Sequence, residues 1–374
     1  MSIRLMHLAD LHLGASLSYL GEQSGERARD IESALTRALA LAPEKNVDAV
    51  LIAGDLFDSF DPPSDLVARV RAAFEETVAK GMPVILIPGT HDSHHYARCV
   101  YTREEFPGVD VLLENGAPIR RDLRGHATYF YGFSGDRVRR RDTRLFRRGA
   151  GEGFHVALAH GTVNGGEHWS ASSRDFSLNP DELEASGFDY VALGHHHEFR
   201  EVRRGRPSVV YPGTLEGLKF GENGDRHLII VNVSRDGTTL EKMKHNRKTL
   251  SEIRIDLTTS GIGCSDDLVR AIEKHCDPTG IVRVTLSGTA DFLPVRGEIE
   301  GRVEGRFFYF ELADNTIFCD GRIVRSIGSE NTVRGIFVRK MIQKIERASE
   351  EGRAAAELAL RFGIEEFTRI TNDT

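Results

Sequence analysis

The chain has 374 residues, 40% of them hydrophobic and 28% charged, with a formal net charge of −7. That is length enough for two domains and the composition of an ordinary globular protein, while an acidic total gives no general attraction to nucleic acid. No run approaches the roughly 18 apolar residues that would mark a membrane span, no secretory leader is expected from a strand-like start, and four scattered cysteines without a CxxC pair argue against a zinc ribbon or disulfide framework and fit a reducing cytoplasm.

The elements follow a repeated grammar in which an apolar run ends in polar residues able to bind a metal. "SIRLMHLADLH" (2–12) delivers Asp10 and His12, and "VDAVLIAGD" (47–55) delivers Asp55. "MPVILIPGTHD" (82–92) delivers His91 and Asp92, and "FHVALAH" (154–160) delivers His160. "FDYVALGHHH" (188–197) delivers His195, His196 and His197. Short, nearly continuous apolar runs are the pattern of strands buried on both faces.

The stretches between the first three runs read as helices. Ala28, Ile31, Leu35, Ala38, Leu39 and Ala42 recur at helical spacing, as do Leu66, Val67, Val70, Phe74, Thr77 and Val78. The second set opens at Ser64 as N-cap and closes at Gly81. "NPDELEASG" (179–187) has an Asn cap, Pro in the first turn and Gly at the end. Alternating strands and helices predict a layered α/β fold, with the strand ends gathered along one edge of the sheet where ligands bind. A single His or Asp after a strand is ordinary, but five such ends together predict a metal site.

Imidazole and carboxylate donors suit Mn, Fe or Zn better than Ca or Mg, and there are more of them than one ion needs. Two ions about 3.5–4 Å apart would use them all, which points to phosphate ester hydrolysis.

"DLH" (10–12), "GDLFD" (54–58), "GTHD" (89–92), "AHG" (159–161) and "GHHH" (194–197) resemble the ordered motifs of calcineurin-like metallophosphoesterases. "GDLFDSFDPPS", "DYVALGHHHEF" and "YPGTLEGLKFGE" narrow the resemblance to SbcD-type DNA-repair nuclease subunits, over about residues 1–250. The resemblance implies a layered metallophosphoesterase fold, central β-sheets flanked by helices, with a smaller α+β capping domain and a helical C-terminal tail. It implies that Asp10, His12 and His197 hold one metal, that Asp55 bridges, and that His160 and His195 hold the second. His91 would stabilise the transition state or protonate the leaving oxygen, with Asp92 orienting it. His196, between two ligands, reads as an exposed neighbour. Where the family has Asn, this chain has Thr90, a shorter and poorer neutral ligand, so a weaker second site is expected. His94 and His95 read as the first turn of a surface helix.

Residues 120–148 carry ten Arg, no Lys and three Asp. They read equally as a solvated loop or as a phosphate grip, and Phe130, Phe133 and Phe146 equally as core or as base-stacking residues. The domains are expected at 1–246 (nuclease), 247–330 (α+β cap) and 331–374 (helical tail). In the second part, "KHNRKTLSEIRIDLTT" reads as a linker and strand, followed by a helix around 264–276, a strand at "IVRVTLSG" and strands at "RFFYFELA" and "TIFCD". Residues 251–374 hold 17 basic against 21 acidic residues, so the module is not broadly basic. In the tail, Val333, Phe337, Met341, Ile345 and Ala348 form a stripe that Gly352 breaks before "AAAELALRFG" resumes it. Either this helix packs on its own domain or, as the resemblance implies, it grips the coiled coil of an SMC-like ABC ATPase.

The expected function is a metal-dependent DNA repair exonuclease, also able to act as an endonuclease. It would use two divalent ions, Mn2+ first and Fe or Zn as alternatives, on DNA ends or single strands, as a cytoplasmic homodimer with no membrane contact. The competing readings are a small-molecule phosphodiesterase or phosphatase, and a DNA- or partner-binding scaffold weakened by Thr90.

Overall fold

The computed structural model describes residues 1–134, 145–164, 176–290, 292, 294–318 and 321–372. It divides into two compact units, Met1–Thr249 and Leu250–Thr374. The first unit runs β1 (Ser2–Leu8), α1 (Ser24–Glu44), β2 (Ala49–Ala53), α2 (Ser64–Ala79), β3 (Val84–Ile87), α3 (Val100–Arg103) and β4 (Val109–Val111). It continues with β5 (Pro118–Leu123), β6 (His126–Phe133), β7 (Phe154–Val163), β8 (Phe176–Leu178), α4 (Pro180–Ala185) and β9 (Tyr190–Gly194). β10 (Arg200–Arg203), β11 (Ser208–Tyr211), β12 (His227–Ser234) and β13 (Gly237–Lys244) complete it.

These strands form two sheets. One has the order β13-β12-β1-β2-β3-β4, with β1 to β4 parallel and β12 and β13 antiparallel at its edge. The other has the order β10-β11-β9-β7-β6-β5, with β8 paired on β7. Their facing sides share one core. Ile3, Leu5, Ala49, Leu51 and Ile85 from the first sheet pack with Phe130, Val156, Leu158, Ala192 and Val210 from the second. Both sheets are covered on both faces, which is why their central strands are apolar without alternation. The outer face of the second sheet is an aromatic layer of Tyr131, Phe133, Phe146, Phe188 and Tyr211.

Four expectations about this unit change. The strand ends do not share one sheet edge; the parallel strands β1–β3 and β7, β9 belong to facing sheets, and the candidate ligand residues they carry come together across them. His160 lies inside β7 rather than at its end, because β8 pairs with Gly161, Thr162 and Val163 and prolongs the strand. His94 and His95 sit in turns, and the next helix starts only at Val100. Helix α2 begins at Ser64 itself, with Pro63 as the residue before it. Helix α4 keeps its anticipated start, with a reciprocal Asn179–Glu182 capping box and Pro at the first turn.

The second unit contains β14 (Thr249–Asp256), α5 (Ser265–Glu273), β15 (Asp277–Ser287), β16 (Thr289–Ala290), α6 (Arg296–Arg302), β17 (Phe307–Asp314) and β18 (Ile317–Phe318). β14, β15 and β17 form a three-stranded sheet whose apolar side packs Val282, Val284, Leu286 and Leu312 against Leu268, Ile272 and Ile299. The chain ends in α7 (Gly321–Ser329), α8 (Val333–Glu346) and α9 (Glu350–Asn372). Ile327, Val338, Leu360 and Ile364 form their common core. The helical break falls at 347–349, and Gly352 is inside α9, where packing outweighs the roughly 1 kcal/mol propensity cost of a glycine.

Candidate metal centre

Four of the residues singled out in the sequence have backbone in the left-handed region: Asp10 (φ 53), His12 (φ 46), Asp55 (φ 49) and His195 (φ 104). Such conformations are unfavourable for non-glycine residues and persist where surrounding bonds impose them. Those bonds are present. Asp10 N–H donates to the Gly54 carbonyl at 3.1 Å, and His12 N–H donates to the Asp55 carbonyl at 3.0 Å. The loops after β1 and β2 are thereby laced together. Gly54, Gly89 and Gly194 allow the approach, since a Cβ on any of them would collide with His160, Asp55 or Ala53 respectively.

Asp10, Asp55 and His160 are buried side chains within one cluster, and Asp10, His12 and His197 form a second. Asp10 belongs to both. Asp55 Oδ2 is 3.3 Å from His160 Nε2 and 3.8 Å from His12 Nε2, so this carboxylate also lies between the two sets. His195 joins neither cluster. Its backbone N–H donates to Asp10 at 2.9 and 3.0 Å, and its ring centroid is 5.3 Å from that of His160. His196 is half-buried and packs edge-on against Tyr211 rather than lying fully exposed.

The imidazoles are oriented from behind. His12 Nδ1 is 2.9 Å from Asp58 Oδ1, His197 Nδ1 is 2.7 Å from Glu222 Oε1, and His160 Nδ1 is 2.9 Å from the Ala53 carbonyl. Each acceptor favours the proton on Nδ1 and leaves the Nε2 lone pair directed at the centre. His12 Nε2 and His197 Nε2 are 3.2 Å apart, and the buried His160 Nε2 faces Asp55 Oδ2 at 3.3 Å. Converging lone pairs beside two buried carboxylates fit a divalent cation.

The electrostatics agree. Burial opposes charge on Asp55, but His160, then His12 and His91, hold its carboxyl below the usual range. Burial likewise opposes charge on His160, yet Asp55 and Asp10 raise it to about 10. For His12 burial is outweighed by the Asp58 hydrogen bond and the charges of Asp55 and Asp10, so it also rises. The pocket attracts positive charge, and a cation competes with protons for it.

His91 is half-exposed, with Nδ1 3.1 Å from the Asp58 carbonyl and 3.5 Å from its carboxylate, and its ring stands edge-on to His12 at 4.6 Å. Asp92 does not orient it. That carboxylate is fully buried and accepts from Gly89 N at 2.7 Å, from Phe57 N at 3.2 Å and from the Tyr101 hydroxyl. Asp92 therefore ties the β2 and β3 loops together, and burial with the neighbouring Asp55 charge lifts its pKa to about 6. The residue between His12 and His91 is Asp58, present in "GDLFD" but not singled out from sequence. Glu222 closes "YPGTLEGLKFGE" but was not singled out from sequence. Thr90 Oγ1 donates to Asp55 Oδ2 at 3.3 Å.

Of the arginine-rich stretch, residues 135–144 lie outside the described residues. Arg120, Arg121 and Arg124 pair with Asp122, Asp110 and Asp48. Phe130, Phe133 and Phe146 are buried core, which excludes them as base-stacking residues. Among the described residues, no helix is long and apolar enough to cross a membrane.

The sequence model of the calcineurin-like phosphoesterases matches residues 3–199. An uncharacterized metallophosphoesterase of Bacillus subtilis, YhaO, is 26% identical over 302 residues, 77% of this chain and 72% of that one. The DNA double-strand break repair protein Mre11 of Aeropyrum pernix is 29% identical over 281 residues, 69% of this chain and 64% of its own. Mre11 of Thermoplasma acidophilum is 27% identical over 261 residues, 64% of each chain. The chain thus spans a little under two thirds of these two Mre11 proteins.

Proposed function

We propose that this chain, which belongs to the calcineurin-like phosphoesterase family, is a DNA repair nuclease of the SbcD type that hydrolyses phosphate diesters in DNA ends or single strands. The observation that carries the reading is the double cluster: Asp10, His12 and His197 beside Asp10, Asp55 and His160, with imidazole Nε2 atoms turned inward. Similarity to proteins named for double-strand break repair supports DNA as substrate.

The family uses divalent metal ions, and we assign the pair to Mn2+, with His195 as a further ligand of the second. Bound there, such ions supply positive charge for the phosphoryl oxygens and lower the pKa of water. The chain does the rest. Asp58 and Glu222 hold His12 and His197 in the Nδ1–H form, and Asp92 fixes the loop that carries His91. His91 has Nδ1 held by the Asp58 carbonyl, which leaves Nε2 to meet a substrate oxygen and, in the doubly protonated ring, to donate a proton to the leaving group.

The exposed Val333, Ile336, Leu358 and Phe362 on α8 and α9 support docking of the tail on the coiled coil of an SMC-like ATPase. Comparing a bis-nitrophenyl phosphate diester, the corresponding monoester and single-stranded DNA with Mn2+ tests the reading. Cleavage of the diester and of DNA is expected; preference for the monoester would make the chain a phosphatase instead. The Thr90–Asp55 bond favours a second reading, a DNA- or partner-binding scaffold, which prevails if Mn2+ elicits no hydrolysis at all.

A further inference from the structure

We propose that Glu222 is a positioning residue: it fixes the ring and tautomer of His197 so that Nε2 serves as a metal donor. The inference rests on the reading of His197 as a ligand. Glu222 lies beyond residues 3–199, to which the family match extends, and 25 positions from the histidine it contacts.

The argument begins with what holds His197. Its carbonyl accepts from Thr214 N at 3.0 Å and from Arg226 Nη1 at 2.7 Å. These bonds fix the main chain but leave the ring free to turn about its side-chain torsions. Among the described residues, Glu222 holds the ring from behind, through Oε1 at 2.7 Å from Nδ1. The other carboxylate oxygen accepts from Leu218 N at 2.8 Å. Glu222 is 5% exposed, so its two oxygens face two donors in a place where water does not substitute.

The segment bearing it is itself anchored. Buried Arg27 of α1 donates to Glu216 Oε2 at 2.7 Å and to the Gly217 carbonyl at 2.6 Å, and the Tyr19 hydroxyl donates to the Leu218 carbonyl at 2.9 Å. Gly213, at φ 74, passes so close to the 197–199 backbone that a Cβ would lie 2.7 Å from the His197 carbonyl oxygen. A pinned segment delivering one carboxylate to the far nitrogen of an imidazole is the geometry that sets tautomer and raises donor strength. Asp58 does the same for His12, while His160 relies on a neutral carbonyl.

The test is Mn2+ binding to the full chain by calorimetry, with the His197 tautomer read by 15N NMR of the imidazole. Glu222→Ala is expected to weaken the tighter Mn2+ event about 10–100-fold and to reduce the Nδ1–H form of His197. Glu222→Gln keeps volume and one acceptor but cannot satisfy both donors, so a smaller loss in the same direction is expected; it decides the matter if the alanine variant fails to fold. Tyr19→Phe loosens one anchor of the same segment without touching Glu222 and should weaken Mn2+ binding by less than Glu222→Ala does. Wild-type affinity and tautomer in both Glu222 variants would overturn the proposal, and so would an equal loss in Tyr19→Phe. His197→Ala separates the two levels: wild-type binding there would remove the metal reading itself.

Discussion

Replacing Thr90 by Asn restores the amide that the resemblance leads one to expect, and the structure sets the size of the effect. Thr90 Oγ1 is 3.3 Å from Asp55 Oδ2, the same oxygen that is 3.3 Å from His160 Nε2, so position 90 borders the second set. The hydroxyl is spent as a donor to the carboxylate, and a threonine oxygen sits one bond nearer the main chain than an asparagine oxygen. An Asn carbonyl would reach one bond further and face the ion as an acceptor. Losing even an indirect partner of a metal ligand costs about 10–100-fold in affinity, so gaining a direct one should tighten the second site by at least about tenfold, or about 1.4 kcal/mol. Calorimetric titration with Mn2+ reads this directly. The wild type should show one tight and one weak event, and Thr90→Asn should bring the weak event toward the tight one. Two equally tight events in the wild type, or an unchanged weak event in the variant, would refute the reasoning.

His91→Ala should abolish diester hydrolysis while Mn2+ affinity stays within about threefold of wild type, because the half-exposed ring joins only the outer group with His12 and Asp58 and neither of the two groups that contain Asp10; parallel turnover and calorimetry check this. Gly89→Ala places a methyl group against Asp55 Oδ1 and should cost the second Mn2+ event at least about tenfold, seen in the same titration. Buried His7, whose Nδ1 lies 2.8 Å from the Tyr190 hydroxyl, is pushed by burial from 6.5 down to about 3. Unfolding frees it to bind a proton, so its contribution to stability is complete above pH 6.5 and is lost as pH falls from 6.5 toward 3. Between pH 7 and pH 5 the loss should be about 2 kcal/mol, measured by denaturant unfolding as the share of the pH dependence that disappears in His7→Gln.

Much of the candidate centre is legible because its clustered side chains follow apolar runs whose meaning is local. Asp10, Asp55 and His91 fall just past strands that nine or fewer residues define, and each run needs only its own hydrophobicity to be recognised. What escaped was set by partners distant in sequence. The division into two facing sheets depends on pairings such as β1 with β12, which no single segment encodes. His160 became an interior strand residue because β8 extends the ladder. The resemblance implies that Asp92 orients His91, yet neighbouring residues here point apart, and burial sends the Asp92 carboxylate to Gly89, Phe57 and Tyr101. Asp58 was in view but carried no mark distinguishing it from a loop acid. Glu222 acts through a fold-level return of the chain, visible only once the 212–226 segment is seen against His197.

Anomalous scattering from crystals grown with Mn2+ tests the account at its root. Two peaks are predicted, one bounded by Asp10, His12 and His197 and a weaker one bounded by Asp55 and His160. Density without an anomalous signal among these side chains, in crystals saturated with the ion, would contradict it.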